Sequence, residues 1–260
     1  MSSADGALWK TRSESSSISD SAPLEPDIGR GLSVIVPTYN EAENVEHVIS
    51  RIRNVLQGYE YELIVVDDDS PDSTWRIVDL LYGDDDRVRV IRRIDERGLG
   101  SAIAFGIARS RFEHCAIIDA DLQHPPEVLP RLLVHVEDDV DLVIGSRYAE
   151  FGRITGWTTA RKLVSKGAVA IAKALLPQTR SIADPLSGFF VINRSLLDGE
   201  RVDPTGYKFL LEALVRCEPE SVREVPYAFE DRKRGESKLS PREYLAFLEH
   251  VFSLRRAGKP

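Results

Sequence analysis

The sequence predicts an α/β fold in which helices cover both faces of one doubly wound, mainly parallel, mixed β-sheet. Two observations predict this class. Short runs of apolar and β-branched residues alternate along the chain with segments of helical periodicity about ten residues long. The chain has 260 residues, of which 42% are hydrophobic, so it is long enough to enclose the core of one large domain.

The predicted elements follow one another in a regular order. Strands are predicted at 32–36, 63–66, 88–91, 116–118 and 142–144, with helices between them at 45–56, 74–81, 101–110 and 126–136. Asn40 and Glu43 have the spacing of a capping box ahead of the first helix. Two later strands, at 189–192 and 222–229, are expected to make the sheet a mixed one.

Both ends of the chain differ from this alternating part. Residues 1–29 are polar and rich in serine, and such a stretch buries too little apolar surface to offset its ordering entropy, so a disordered tail is predicted. The main domain is predicted at 30–238, and 239–260 is predicted to be a C-terminal amphipathic helix. There is no run of about eighteen apolar residues and no apolar signal-peptide core, so we expect neither a membrane span nor a secretion signal.

Charge and cysteine content exclude further classes. The formal net charge of −8 argues against a nucleic-acid partner, because such proteins present a basic face. Cys115 and Cys217 have neither the spacing of a metal site nor the number needed for a disulfide framework. A reducing, cytoplasmic setting is therefore expected.

The most informative motif is the pair of acids Asp119 and Asp121, which follows the apolar run 115–118. If that run is a buried strand, its carboxyl end delivers both carboxylates to the crevice where open α/β sheets bind ligands. Mg²⁺ commonly takes one or two carboxylates together with substrate phosphates. The motif thus indicates a metal-assisted site for a phosphorylated substrate, although acids at a strand end can also simply cap the next helix.

Three common phosphate-binding classes fit the sequence poorly. Dinucleotide-binding domains need Gly-x-Gly-x-x-Gly after the first strand, where this chain has 37–41 without glycine, and no Walker A loop occurs. Phosphatases of the haloacid-dehalogenase type also carry Asp-x-Asp at a strand end. In that class the motif follows the first strand and continues to Thr or Val, whereas here it follows the fourth strand and continues to Gln123.

Eight segments, taken in order, resemble the inverting glycosyltransferases of the GT-A type, glycosyltransferase family 2. They include Asp119-Ala120-Asp121-Leu122-Gln123 and lie at 37–41, 66–72, 98–100, 119–126, 145–148, 184–190, 206–208 and 232–238, so that the resemblance covers roughly residues 32–254. Each segment alone is weak evidence, whereas the ordered set is specific. The resemblance implies a single GT-A (Rossmann-like) catalytic domain, and it is strongest to members that transfer a sugar to a lipid phosphate.

The resemblance implies a donor site at the ends of the predicted strands. Mg²⁺ or Mn²⁺ would be bound by Asp119, Asp121 and Gln123, and the implied catalytic residues are Asp119, Asp121 and Arg147. Positive charge for the phosphates would also come from the basic loop 232–238, in which Gly235 would allow closure as a lid. The whole implied nucleotide-sugar set is Pro37, Tyr39, Glu41, Val66, Asp68, Asp119, Ala120, Asp121, Gln123, Arg147, Arg232 and Lys238.

For the acceptor, the resemblance implies a dolichyl or other polyprenyl phosphate whose phosphate group contacts Arg161 and Ser165. Residues 152–156 would form a mobile acceptor loop. The implied reaction is metal-dependent transfer of mannose from GDP-mannose to give dolichyl β-D-mannosyl phosphate for protein glycosylation. A phosphate monoester has a second pKa of about 6 and is largely a dianion at neutral pH, so it can attack without a general base.

Two amphipathic segments are consistent with a lipid acceptor. In the helix predicted at 160–176, three lysines lie opposite Val164, Ala168, Ile171 and Leu175, and the helix at 239–260 has one broad apolar arc followed by arginines. Such helices can lie in a membrane interface, although they can equally pack on the sheet. The family often carries C-terminal transmembrane segments, and no apolar run of that length occurs within these 260 residues. We therefore expect a peripheral protein at the cytoplasmic face of a membrane, held there by these helices or by a separate membrane-anchoring protein.

Two alternatives remain open from the residues. A sibling enzyme would transfer glucose or another sugar from a UDP-sugar to the same kind of lipid phosphate, and no residue distinguishes guanine from uracil. The other alternative is an inactive subunit that only binds nucleotide sugars. It is disfavoured because the acid motif and the basic residues are all present.

Overall fold

A computed structural model of the protein describes residues 31–136, 140–198, 208–231 and 241–257. The predicted tail at 1–29 and the basic loop at 232–238 lie outside these ranges, so both stay predictions. Among the described residues, no helix has the length and apolarity that crossing a bilayer requires.

Strands and helices alternate through the described residues, as the sequence predicts. The strands are β1 (Leu32–Thr38), β2 (Tyr61–Asp67), β3 (Val88–Arg92), β4 (His114–Ile117), β5 (Leu142–Ser146), β6 (Arg153–Ile154), β7 (Phe190–Asn193), β8 (Val222–Pro226) and β9 (Ala228–Phe229). The α-helices are α1 (Val45–Val55), α2 (Thr74–Tyr82), α3 (Leu99–Ile107), α4 (Leu129–Leu133), α5 (Thr159–Leu175), α6 (Phe209–Arg216) and α7 (Pro241–Ala257).

The main sheet has the strand order β3-β2-β1-β4-β7-β5-β8. All neighbouring strands are parallel except β7, which runs antiparallel to both β4 and β5. The order reverses between β1 and β4, because the chain first builds outward to β3 and then returns to the other side of β1. In open α/β sheets this reversal opens a crevice at the carboxyl ends of the strands. The fold therefore places the ends of β1 and β4 on either side of a ligand site.

The core lies on both faces of this sheet. Val34 and Val36 of β1 pack with α1, α2 and α4 on one face, and Ile35 packs with α3 and α6 on the other. All seven residues of β1 and all seven of β2 are buried, as central strands of a doubly wound sheet require. The prediction of a mixed, mainly parallel sheet with helices on both faces is confirmed.

A third apolar cluster joins α5, α6 and α7 beside the sheet. Phe247, Val251 and Leu254 of α7 are buried in it with Val169 and Ala172 of α5. Since full burial of such side chains stabilises a fold by about 1.5–3 kcal/mol each, the C-terminal helix is an integral part of the domain's packing. The sequence predicts an apolar face of α5 at Val164, Ala168, Ile171 and Leu175. Of these four residues, Val164 and Ile171 are exposed. Leu245 and Phe252 of α7 are exposed too.

Several local predictions are wrong for identifiable reasons. The capping box does not form, because Asn40 N–H donates to Ser70 Oγ and Glu41 N–H donates to Thr74 Oγ1, so tertiary contacts replace the local cap. Asn40 adopts φ 56°, and α1 begins only at Val45. The helix predicted at 126–136 is a 3₁₀ turn followed by the short α4, whose second residue is proline.

The later part of the chain also departs from prediction. The strand expected at 222–229 is two strands: β8 ends at Pro226, and β9 pairs in parallel with β6 in a separate two-stranded sheet. Residues 152–156, predicted as a mobile loop, contain β6. Helix α6 was not predicted. It is buried along seven of its eight residues, so its sequence lacks a polar face from which a helical period could be read.

Candidate functional site

A cavity of about 660 Å³ opens at the carboxyl ends of β1 and β4, where the strand order reverses. It extends from the strand ends to the space between α5 and α7. The predicted site residues that line it are Pro37, Tyr39, Glu41, Asp68, Asp119, Ala120, Asp121, Gln123, Arg147, Arg161 and Ser165. Residues from five separate parts of the sequence thus meet in one cavity.

The acid motif lies directly beyond β4 in a tight turn. Asp121 Oδ1 accepts a hydrogen bond from Gln123 N–H at 3.0 Å, and Leu122 between them has φ 60°. Gly188 packs against the other acid, since a Cβ there would lie 2.8 Å from Asp119 Oδ2. The turn therefore fixes the two carboxylates and the amide on one wall of the cavity.

These residues fit a hard divalent cation whose remaining ligands come from a substrate. Gln123 Nε2 donates to Glu230 O at 3.3 Å, which leaves the amide oxygen for coordination beside the two carboxylates. Within the described ranges no group of three or more His, Cys, Asp or Glu residues is arranged as a complete metal cage. Mg²⁺ commonly takes one or two carboxylates and completes its shell with substrate phosphates and water. Two carboxylates and an amide beside an open cavity suit that mode.

His124 follows the motif and lies inside the protein among aromatic rings. Its ring stacks on Phe189 with centroids 5.6 Å apart and meets Tyr227 and Phe229 edge-on. Burial lowers the pKa of His124 to about 4, against a smaller raising effect of Asp121. The imidazole is therefore neutral at physiological pH and packs as part of the wall behind the acids.

The ends of β1 and β2 are joined by buried hydrogen bonds. Thr38 Oγ1 and Ser70 Oγ both donate to Asp67 Oδ2, at 2.8 and 2.6 Å. The buried Glu41 accepts from Asn44 Nδ2 at 2.8 Å. Because these contacts tie the two loops together, the part of the cavity lined by Pro37 and Glu41 is shaped before any ligand enters.

Asp68, predicted to contact the nucleoside, is held by two partners. Arg93 Nε donates to Asp68 Oδ1 at 2.7 Å, and Gly98 N–H donates to Asp68 Oδ2 at 2.8 Å. Both side chains of the ion pair are buried, with 3% and 8% exposure. Arg93 also donates to Gly98 O at 3.2 Å, so this pair fastens the loop before α3 to the end of β2.

Sequence reasoning missed Arg93 and Arg97 and misplaced Val66. The Val66 side chain is fully buried in the core and is not part of the cavity lining. Arg97 lines the cavity, with its guanidinium 5.4 Å from the centre of the Tyr39 ring. The signal that could have identified Arg97 is its position directly before Gly98-Leu99-Gly100, a segment that was noted without a role.

Arg147 reaches the cavity from the end of β5 and is paired with an acid. Its Nε and Nη2 donate to the two oxygens of Asp184 at 2.7 and 2.8 Å, and its backbone N–H donates to the same carboxylate at 3.0 Å. Burial by itself would lower the pKa of Arg147, but the Asp184 carboxylate outweighs burial and raises it. The guanidinium is therefore a permanent, fixed positive charge. Asp184, which lies in the segment 184–190, holds this guanidinium in place.

The predicted acceptor residues lie on the first turns of α5. Arg161 Nη1 donates to Asp231 Oδ1 at 3.1 Å, and its guanidinium lies 4.1 Å from the centre of the Trp157 ring. Ser165 Oγ accepts from the Tyr148 hydroxyl at 2.8 Å. Apolar residues of α5 and α7, namely Val164, Ala168 and Phe247, continue the cavity wall from there.

Two predicted site residues, Arg232 and Lys238, fall outside the described residues, as does Gly235. Lys208 supplies a further cation within the described part of the site. It lines the cavity, and its Nζ lies 3.4 Å from Leu186 O.

Comparison with known sequences assigns the class. The model of the family described as "Glycosyl transferase family 2" matches residues 33–199. The chain is 45% identical over 225 residues to a dolichol-phosphate mannosyltransferase of Pyrococcus furiosus, covering 86% of this chain and 64% of that protein. It is 34% identical to a protein of the same name from Mycosarcoma maydis, over 86% of this chain and 79% of that protein. It is also 34% identical to one from Saccharomyces cerevisiae, over 85% of this chain and 86% of that protein. The chain belongs to glycosyltransferase family 2.

Solved structures show the same fold. Glucosyl-3-phosphoglycerate synthase from Mycobacterium tuberculosis, in complex with Mn²⁺, UDP and glucosyl-3-phosphoglycerate, superposes with a TM-score of 0.68 at 24% identity, covering 89% of this chain and 81% of that one. The same enzyme with Mn²⁺, UDP-glucose and glycerol 3-phosphate gives 0.67 at 25% identity, covering 89% and 82%. The predicted GT-A glycosyltransferase fold is confirmed, and divalent metal use occurs among proteins of this fold.

Proposed function

We propose that this protein transfers mannose from GDP-mannose to dolichyl or another polyprenyl phosphate, in a reaction that depends on a divalent metal ion. One observation carries the proposal. A single cavity joins the Asp119 and Asp121 carboxylates to Arg161 and Ser165 and then to an apolar wall. A nucleotide sugar suits the first part, an acceptor phosphate the second and an isoprenoid chain the third. The names of the three relatives support mannose as the transferred sugar and dolichol phosphate as the acceptor.

The donor would lie across the carboxyl ends of β1, β2 and β4. The ribose and base would occupy the part shaped by Pro37, Tyr39 and Glu41, next to Asp68. The two phosphates would face Asp119 and Asp121 through a divalent ion. The choice of guanine over uracil follows from the resemblance of the sequence to lipid-phosphate mannosyltransferases, because the names of the relatives specify no nucleotide.

The metal ion would be held by Asp119, Asp121 and Gln123. When bound, it would neutralise negative charge on the diphosphate as that group leaves. Either Mg²⁺ or Mn²⁺ suits these oxygen ligands. The structural neighbours that contain Mn²⁺ support the use of a divalent ion without deciding which one serves here.

The chemistry is a single displacement at the anomeric carbon. An oxygen of the acceptor phosphate forms the new bond to C1 as the bond from C1 to the diphosphate breaks, and GDP leaves with that electron pair. The configuration at C1 therefore inverts from α to β. Because the acceptor is already an anion, no side chain has to remove a proton. Positioning and charge stabilisation by Arg147 and Arg161 are the contributions of the protein.

We also propose that α5 and α7 rest on the cytoplasmic face of a membrane. Leu163, Val164, Leu245 and Phe252 are exposed on these helices, and Val164 also lines the cavity. Lipid contact there would bring the acceptor's chain to the site without a span through the bilayer. Flotation of the purified protein with liposomes tests this proposal. A protein that stays in the aqueous fraction would instead require a membrane-anchoring partner.

The test of the activity supplies labelled GDP-mannose or UDP-glucose with polyprenyl phosphate and either Mg²⁺ or Mn²⁺. Label is expected in the lipid phase from GDP-mannose, with loss of transfer on chelation of the metal. Lipid label from UDP-glucose alone would replace mannose by glucose. A parallel reaction supplies 3-phosphoglycerate in place of the lipid, since a structure of the neighbouring synthase contains phosphoglyceric acid, and label on that compound alone would replace the lipid as acceptor. Binding of a nucleotide sugar without transfer would indicate the inactive subunit.

A further inference from the structure

Residues 229–231, called here the β9 exit, contact both sides of the site. Gln123 Nε2 donates to Glu230 O at 3.3 Å, and Glu230 N–H returns a bond to Gln123 O at 3.4 Å. One residue further on, Asp231 Oδ1 accepts from Arg161 Nη1 at 3.1 Å. The β9 exit thus starts at a proposed metal ligand and ends at a proposed acceptor contact.

The backbone of the β9 exit is anchored independently of that ion pair. Thr155 N–H and Thr155 Oγ1 both donate to Phe229 O, at 2.9 and 3.1 Å. Phe229 itself is buried and packs edge-on against Trp157 with ring centres 5.2 Å apart. The Asp231 carboxylate can therefore rotate away from Arg161 while the preceding main chain keeps its place.

The position of Asp231 depends on a glycine. Gly156 has φ +81°, and a Cβ at this position would lie 2.6 Å from Asp231 Cβ. Any side chain at 156 would push the aspartate away. The glycine therefore keeps the space that lets this acid reach Arg161 on α5.

The Arg161–Asp231 pair is suited to exchange. Arg161 and Asp231 retain 26% and 40% side-chain exposure, and ion pairs at such positions hold their partners weakly. A phosphate monoester carries more negative charge than a carboxylate and offers three acceptor oxygens to a guanidinium. It can therefore displace the aspartate from Arg161.

We propose that Asp231 is a built-in counter-ion that occupies Arg161 in the empty enzyme and is displaced by the phosphate group of the lipid acceptor. Between turnovers the carboxylate neutralises Arg161 and holds its guanidinium over Trp157, at the place where the phosphate will bind. Asp231 is a positioning residue, since it acts through Arg161 and touches no reacting atom. The inference rests on the acceptor role proposed above for Arg161.

Steady-state kinetics with a short-chain polyprenyl phosphate test this role. Asp231→Asn keeps the shape but removes the competing charge, so KM for the lipid phosphate is expected to fall about two- to fivefold, as the strength of an exposed ion pair implies. KM for GDP-mannose is expected to stay unchanged. Glu150→Gln makes the same charge change at an exposed residue outside the cavity lining and is the control, with no expected change in either KM. An unchanged or raised lipid-phosphate KM in Asp231→Asn would overturn the proposal.

A double variant separates this role from a general loss of negative charge. Arg161→Gln alone should raise KM for the lipid phosphate, and adding Asp231→Asn should then leave this KM unchanged, because the proposed competition is for the arginine. If Asp231→Asn lowers this KM equally in both backgrounds, the proposal fails.

Direct binding keeps the inference separate from the proposed function. The same variants are titrated with farnesyl phosphate by calorimetry without any donor. Tighter binding by Asp231→Asn supports the counter-ion role even if wild-type protein transfers no mannose. If wild-type protein transfers mannose but farnesyl phosphate binds the wild type and Asp231→Asn equally, the counter-ion role is refuted while the proposed function stands.

Discussion

The two sides of the cavity hold their charged groups in different ways. On the donor side, at the ends of β1, β2 and β4, the buried Asp68 is enclosed by Arg93 and Gly98. On the acceptor side, around the start of α5, the Arg161–Asp231 pair is partly exposed. Buried charges without partners are costly, so the donor side has to be organised in advance. Exposed pairs exchange at little cost, so the acceptor side can adjust when its ligand arrives.

The fold accounts for this difference. Parallel strands converge on the donor side and bring polar loops together inside the protein, where each group needs a partner. The acceptor side is formed by α5, the two-stranded sheet of β6 and β9, and α7, whose outer faces lie at the surface. A rigid donor site beside an adjustable acceptor site suits the proposed function, in which one substrate would come from water and the other from a membrane.

The largest expected effect is on the buried donor-side pair. Arg93→Met leaves Asp68 as an unpaired buried charge, so the free energy of unfolding should fall by about 3–5 kcal/mol in urea titrations. The neighbouring Arg92→Met is the matched control. Arg92 pairs with Asp69 at 42% and 27% side-chain exposure, so its loss should cost less than about 1 kcal/mol. Equal effects in the two variants would show that the buried pair contributes no more to stability than the exposed pair.

The next effect concerns transfer rather than folding. Asp121→Asn replaces a charged metal ligand by a neutral one and should lower kcat for mannosyl transfer on the order of 10²–10³-fold, while the unfolding midpoint stays near that of the wild type. Asp69→Asn changes an acid that lies outside the cavity lining and should retain activity. Wild-type kcat in Asp121→Asn with Mg²⁺ would refute the metal role.

A third prediction concerns pH and the packed wall behind the acids. Burial lowers the pKa of His124 to about 4, below its ordinary value of 6.5. Between these values the unfolded chain binds a proton that the folded protein rejects, so stability is lost as the pH falls from 6.5 to 4. The loss from this residue is about 3 kcal/mol.

Urea titrations of the metal-free protein at pH 7 and pH 4.5 measure this loss. Because the carboxylates of the protein also titrate there, the relevant quantity is the difference between wild type and His124→Gln. A smaller pH-dependent loss in His124→Gln is expected. An equal loss in both proteins would show that His124 is not the source.

The smallest effect on stability is expected on the acceptor side. Arg161→Gln should change the free energy of unfolding by less than about 1 kcal/mol, since its partner Asp231 remains solvated. Thermal unfolding of this variant and of Arg93→Met, measured together, compares the contributions of the two ion pairs to stability. A loss of several kcal/mol in Arg161→Gln would mean that the acceptor-side pair is structural, and it would weaken the case for exchange.

Much of the donor side could be predicted from local sequence. The apolar runs that become β1, β2 and β4 are separated by helical segments, so their order and their parallel arrangement follow from the pattern. Residues directly after such strands must lie at one edge of the sheet. Asp119 and Asp121 were placed at the ligand crevice on that basis and Glu41 through the family resemblance, and the structure brings all three into one cavity.

What the sequence could not indicate are contacts between distant segments. Asp68 was predicted to face the nucleoside, but its partner Arg93 lies 25 positions away and has no pattern of its own. The apolar face of α5 was read at Val164, Ala168, Ile171 and Leu175, whereas α6 and α7 cover Val169 and Ala172, because the periodicity of one helix does not reveal which face its neighbours cover.

The sequence by itself determined the fold class, the position of the acid motif and the membership of family 2, because each depends on local order along the chain. The tertiary structure alone decided which charges are paired. Arg147 with Asp184 and Arg161 with Asp231 are separated by 37 and 70 positions, and only the folded sheet and its connections bring them within hydrogen-bond distance. The strength of each pair then depends on burial, which is a property of the whole domain.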